Sequence, residues 1–520
     1  MGQRRRQFLA PVRGLARAVT GSRPACQAAI ALSACLILGV AVPGRGRVEA
    51  LTDTPSDLER LLAAVLGDTP LVDDLRHLSD SIGGRATGSE ANLRSVDWAL
   101  QRFRDAGVEA RREPFTMPAR WLERAAAATV NGPGVTFGPR VAAMPFSAAT
   151  ASAGVTAPLL DAGRGTAGDV DALGPSTRDA FLLVETDELE DVEGLFREYN
   201  DAAAIEALAV AAGARGVVYM GSRPGNQLYR HNVSTGPANT RPMVVMERDA
   251  ALRIQRLLQD EIPLTLTLRL DLDTGGPYES YNVIGEITGA SRPDEVVLMG
   301  AHLDSWDLGA GTLDNGANVA MLIDIARQIR RLGLRPARTI RFALWNGEEQ
   351  GMVGSLGYAK AHAAELDRHV VAGSVDIGCG RITGFFTNGR PDVVAIVDRL
   401  LVPVAGLGPF EQVDAPIVGT DNFDFMLEGV PNLVANQEPA LYGPNYHARS
   451  DEFDRCDTRE VRLNAAIVAA LVYGFAEDEA MLKRQTRAEI EDLMKRTDLD
   501  DQMKTFNLWD AWVAGRRGRR

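Results

Sequence analysis

The sequence predicts an α/β protein: a mixed, mainly parallel sheet covered by helices and carrying an inserted β-rich domain. Three observations lead there. Beyond Tyr281, apolar runs at 282–287, 296–300 and 338–345 read as strands, and Val319, Leu322, Ile323, Ala326 and Ile329 share one helical face. Such alternation implies a largely parallel sheet between helices. From 125 to 273 the texture changes to short Val/Leu-rich runs separated by Gly/Pro/Ala loops. Finally, 520 residues, 45% hydrophobic and 24% charged, can fill two or three domains with large cores, and no glycine period or long low-complexity run points to collagen or disorder.

Residues 1–50 read as an export segment. Arg4, Arg5 and Arg6 precede Gln7-Phe8-Leu9, similar to a twin-arginine signal. An 18-residue apolar stretch follows at 25–42, and Val48-Glu49-Ala50 offers small residues for cleavage after Ala50. A periplasmic or secreted protein is expected. An uncleaved N-terminal membrane anchor is the alternative, since 18 apolar residues just span a bilayer. Cleavage would leave no stable membrane insertion, because no later segment is long and apolar enough. The segment holds eight Arg and one acid, a net of +7, which leaves −20 of the total −13 for the remainder. A body that acidic repels phosphate backbones and excludes nucleic acid as a partner.

The main domain is expected over 51–124 and 274–477. Thr54 and Ser56 offer caps before the stripe Leu58, Leu61, Leu62 and Val65. A glycine-rich loop at 83–89 separates it from a second helical period, Leu93, Val96, Leu100 and Phe103, and a strand follows at 108–117. The insert at 125–273 contains strands at 181–185, 216–220 and 243–246, and a helix at 202–212 ending at Gly213. Residues 478–520 read as a polar helical tail with a solvated basic end, 515–520.

The chemistry sits at predicted strand ends. His302 ends one strand, Glu348 and Glu349 follow another, Asp376 a third, Asp314 precedes the amphipathic helix, and His447 lies in a Gly/Pro/Tyr loop. Loops leaving the carboxyl ends of a parallel sheet meet in one crevice. Imidazole and carboxylate ligands without Cys suit zinc, with Mn²⁺ or Co²⁺ as other options. Three carboxylates are too much charge for one Zn²⁺ and match two, with one carboxylate shared. The adjacent Glu348-Glu349 pair fits one ligand and one general base.

These residues also carry a resemblance. The segments His302-Leu303-Asp304-Ser305-Trp306-Asp307 and Gly311-Thr312-Leu313-Asp314-Asn315 resemble the co-catalytic di-zinc exopeptidases. The likeness continues through Leu334-Arg335-Pro336, 345–351, Gly419-Thr420-Asp421, Gly429-Val430-Pro431 and Tyr446-His447, and covers most of 70–475. Residues 83–89 and 118–124 resemble the same family, and 202–220 resembles a protease-associated domain. The resemblance implies a phosphorylase/hydrolase-like zinc exopeptidase sandwich holding two Zn²⁺ per chain. His302, Asp314 and Asp376 would hold one ion and Glu349 and His447 the other, with Asp314 bridging. Glu348 would be the base that takes a proton from a metal-bridging water, and Asp304 would orient the His302 ring. Asp307 is open between a loop cap and a functional role. Where the family has an Asp-Thr pair after His447, this sequence has Asp451-Glu452.

Of four cysteines, Cys379 follows Asp376 by three residues and Cys456 follows His447 by nine. If both ligands face one metal pair their loops are neighbours and a bond is open to them; two separate buried thiols are the alternative. The function expected is hydrolysis of short peptides or dipeptides, with a peptide as partner and a homodimer left open. A non-catalytic receptor and a single-zinc glutaminyl cyclase-like transferase are the competing readings.

Overall fold

The computed structural model describes residues 55–376 and 378–520; the segment 1–50 expected to direct export, with Cys26 and Cys35, lies outside them. The first helix, Asp57–Val65, starts at Ser56, whose hydroxyl accepts the Glu59 N–H while the Glu59 carboxylate accepts the Ser56 N–H. Its buried Leu61, Leu62 and Val65 lie against the helices Ala317–Arg331 and Thr458–Glu477, which cover one face of the main sheet.

That sheet has seven strands in the spatial order Glu109–Met117, Tyr278–Ile287, Arg338–Trp345, Arg292–His302, His369–Ser374, Asn432–Gln437, Ile382–Phe386. The four strands from Arg338–Trp345 to Asn432–Gln437 run parallel, and the pairings outside them are antiparallel. Residues 296–302 are buried without alternation, because the opposite face is also covered: Leu298, Ala343 and Trp345 meet Tyr358 and Phe425 there. The fold is therefore the expected α/β sandwich with a mixed sheet.

A second sheet of eight strands runs in the order Val135–Phe137, Arg120–Gly132, Leu264–Gly275, Val155–Asp161, Phe181–Val184, Gly216–Met220, Met243–Met246, Val141–Ala143. Its strands start at Arg120, five residues before the expected change of texture, and end at Gly275. The helix expected at 202–212 is twice as long, Val192–Ala211. Asn200 and Asp201 mimic a cap, but the actual cap is Asp191, whose carboxylate accepts the Gly194 N–H at 2.7 Å.

The carboxyl-terminal residues are helical, as expected, but they pack onto the main domain and bury Arg517 of the basic end. Instead of a solvated tail, helices Arg487–Arg496, Leu499–Thr505 and Trp509–Val513 bury Ile490, Leu493, Met503 and Trp512 against Met352, Phe423 and Leu427. Arg517 is 6% exposed and forks onto Asp424 at 2.6 and 2.7 Å. The apolar residues of this stretch are spread over three short helices among many charges, so no single long stripe announces them. Cys379 and Cys456 are joined by a disulfide, with Cα atoms 5.5 Å apart.

Candidate metal centre

The carboxyl ends of the parallel strands bring five of the expected residues together. His302 is the last residue of its strand, and its Nε2 lies 3.1 Å from Asp314 Oδ1 and 3.0 Å from Asp376 Oδ1. His447 Nε2 lies 2.9 Å from Glu349 Oε2 and 3.4 Å from Asp314 Oδ2. The result is two three-residue groups, His302/Asp314/Asp376 and Asp314/Glu349/His447, each able to close on one ion. Asp314 belongs to both and turns one oxygen to each imidazole.

Hydrogen bonds on the far side of each ring set the tautomer. His302 Nδ1 faces the Asp304 carbonyl oxygen at 2.9 Å, and His447 Nδ1 faces the Arg230 carbonyl at 3.2 Å. A carbonyl only accepts, so each Nδ1 carries a proton, and each Nε2 is the nitrogen turned to the carboxylates and open to a cation. Asp314 Oδ2 and Glu349 Oε1 are buried without a hydrogen-bond partner. Buried carboxylate oxygens without partners are costly, and a cation held between them and the imidazoles removes the cost. The donor set, nitrogen and oxygen without sulfur, fits zinc.

Electrostatics carry the same signature. Burial works against charge on both rings. At His302 the carboxylates of Asp376 and Asp314 outweigh it and hold the ring well above its ordinary value; at His447 burial prevails and brings it down to about 4. Burial also pushes Glu348 and Glu349 well above the usual carboxylate range, with Asp376 and Asp421 adding to it at Glu348 and Asp314 at Glu349. Asp314 is also pushed up by burial, but His302, His447 and Arg85 pull it below its ordinary value.

Glu348 stands apart from both groups, half-buried, on the turn that also supplies Glu349. Asp304 is placed differently from its expected role. Its carboxylate is 3.7 Å from His302 Nδ1, beyond a hydrogen bond, and its backbone carbonyl makes the contact instead. The carboxylate accepts from Thr87 Oγ1 at 2.7 Å and from the Gly347 N–H at 3.0 Å, tying the loop at Thr87 to the turn that carries Glu348. Asp307 forks onto Arg230 at 2.8 and 3.0 Å.

Several supporting residues were given no role by the sequence. The buried Arg85 guanidinium donates to the carbonyls of Leu303, Ala310 and Gly311. Asp451 accepts the backbone N–H groups of Thr312, Leu313 and Asp314 at 3.0, 2.7 and 3.1 Å. From the region of the second sheet, Asn232 donates to the Glu349 carbonyl at 2.8 Å, and Arg230 exchanges backbone contacts with His447. Tyr446 stacks on His447 with ring centroids 3.7 Å apart.

Comparison with known proteins agrees with this geometry. Residues 282–472 match the model of Peptidase family M28. Carboxypeptidase Q of Homo sapiens is 30% identical over 293 residues, 55% of this chain and 61% of that protein. The match to the Rattus norvegicus protein, also 30% identical, spans 51% of its length, so the chain aligns with less than two thirds of either relative. Among solved structures, a Peptidase M28 precursor from Shewanella amazonensis SB2B superposes with a TM-score of 0.73 at 28% identity, covering 82% of this chain and 97% of that one. BSAP, a zinc aminopeptidase from Bacillus subtilis, shares the fold with a TM-score of 0.63 at 21% identity, over 80% and 96% of the two chains. The residues matched by the Peptidase family M28 model contain every member of the two ligand groups, so the family likeness and the candidate metal centre fall on the same stretch of the chain.

Proposed function

We propose that the chain is an exported exopeptidase that holds two zinc ions and hydrolyses short peptides or dipeptides. The observation that carries the reading is Asp314, one carboxylate oxygen turned to His302 and the other to His447. His302 and Asp376 would hold one ion and Glu349 and His447 the second, with Asp314 between them. When bound, such a pair supplies a nucleophilic water at neutral pH and polarises the scissile carbonyl. The remaining work belongs to side chains. Glu348 lies beside the ligand groups without belonging to either, so in its ionised form it can take a proton from the attacking water and deliver it to the leaving amine. Asp304 and Thr87 hold the Gly347 N–H and so fix the turn from which Glu348 acts.

Support for zinc comes from the donor set and from the zinc aminopeptidase whose fold the chain shares. Support for export comes from the twin-arginine-like start and from the Cys379–Cys456 bond, which an oxidising compartment preserves. A non-catalytic receptor would have no need of all five donors and a separate, half-buried Glu348. The test is metal analysis of the purified chain together with free and end-blocked dipeptides. Two zinc ions per chain and cleavage of free dipeptides are expected; activity lost on blocking only the N-terminus identifies an aminopeptidase, and loss on blocking either end a dipeptidase. One ion per chain, or no cleavage of any peptide, overturns the proposal.

A further inference from the structure

The strands Val155–Asp161, Phe181–Val184, Gly216–Met220 and Met243–Met246 of the second sheet run parallel. The space beyond the carboxyl ends of such strands is where open α/β sheets bind ligands. A cavity of about 390 Å³ lies there, walled by residues 164–167 and 185–189, which follow the first two strands, and by the helix Val192–Ala211. None of the seven residues assigned to the metal centre lines it.

Its chemistry is uneven. Leu189, Ile205, Leu208 and Val245 give it apolar wall. Five carboxylates, Glu185, Asp187, Glu188, Glu198 and Asp201, line it against the two guanidiniums of Arg164 and Arg197. Arg164 is committed to Asp187 at 2.6 Å, Glu198 to the buried Arg223 at 2.9 Å, and Glu188 lies 3.6 Å from Arg248.

The second observation is independent of that charge. His231 also lines the cavity, is 4% exposed, and has no hydrogen-bond partner at either ring nitrogen. Its ring rests on Tyr199, with centroids 4.5 Å apart. Burial brings its imidazole down to about 4, so at neutral pH one nitrogen is a free acceptor. A buried polar side chain without partners in a roomy, partly polar cavity is the mark of a site built for something to fill it.

We propose that this cavity binds a small organic cation, a guanidinium or ammonium on a short aliphatic chain, separately from the metal centre. The cation lies among Glu185, Glu188 and Asp201, the chain runs along Leu189 and Ile205, and an N–H at the far end donates to His231. Agmatine has these parts and contains no peptide bond to hydrolyse. Calorimetric titration of the full, metal-loaded chain with agmatine is expected to show one saturable site per chain. The Glu188→Gln/Asp201→Asn double variant should weaken binding by roughly tenfold or more, about 1.4 kcal/mol per decade. His231→Phe, which keeps the stacking on Tyr199 and removes both nitrogens, should weaken it as well, with metal content unchanged. No saturable binding, variants that bind as tightly as the parent chain, or agmatine displaced by a metal-site inhibitor would each overturn the proposal.

Discussion

Asp451 holds Asp314 by its backbone and never touches its carboxylate. Oδ2 of Asp451 accepts the Asp314 N–H at 3.1 Å, while Oδ1 gathers those of Thr312 and Leu313. Both Asp314 oxygens therefore stay turned to the two imidazoles. An amide in place of Asp451 keeps one acceptor and sets an N–H against a backbone N–H. Asp451→Asn should weaken metal binding by about 10–100-fold, the usual cost of losing a partner behind the ligands. Competition with a chelator measures it, and unchanged affinity would show that the loop holds itself.

Glu348 is tested by separating rate from metal content. Glu348→Gln should reduce hydrolysis by about 10²–10⁴-fold and leave the bound metal intact. Glu349→Gln should instead lose metal, because Glu349 Oε2 is the oxygen 2.9 Å from His447. The opposite pattern would exchange the two roles.

The main site was readable because its residues are punctuation: an acid or His directly after an apolar strand lies at the mouth of a parallel sheet wherever the helices fall. Asp304 shows the limit. Its position two residues beyond His302 suggested a carboxylate contact, but the chain turns so that the carbonyl reaches the ring and the side chain reaches Thr87 and Gly347. Arg230 and Asn232 were invisible for another reason: they lie over two hundred residues from His447 and over a hundred from Glu349, so only tertiary structure makes them neighbours.

The Cys379–Cys456 bond closes a loop spanning 77 positions beside two of the proposed ligands. Thiol titration of the denatured, unreduced protein should find neither cysteine free. Replacing both with Ser should lower stability by roughly 2–4 kcal/mol in urea unfolding. Two titratable thiols would refute the bond.

Arg517 and Asp424 form a buried, forked pair, with side chains 7% and 1% exposed. Removing one partner leaves a buried charge, so Arg517→Ala should cost about 3–5 kcal/mol. Replacing both with apolar residues, Arg517→Met with Asp424→Leu, should recover much of that loss. Equal destabilisation by the single and double variants would mean that packing around the carboxyl-terminal helices, and not charge, sets the cost.

Glu206 lies on the helix Val192–Ala211 and is 2% exposed, and burial pushes its carboxyl up to about 7. One oxygen accepts the Ser234 N–H at 2.8 Å, and the other has no partner. In the unfolded chain the group titrates near 4.5. Between these two values the folded state binds the extra proton, so stability falls as pH rises through that window, by on the order of 3 kcal/mol in all. Glu206→Gln keeps an acceptor for Ser234 and removes the charge. Its melting temperature should therefore match that of the parent chain near pH 5 and exceed it near pH 8. A difference that is the same at both pH values would show that Glu206 does not stay protonated in the folded chain.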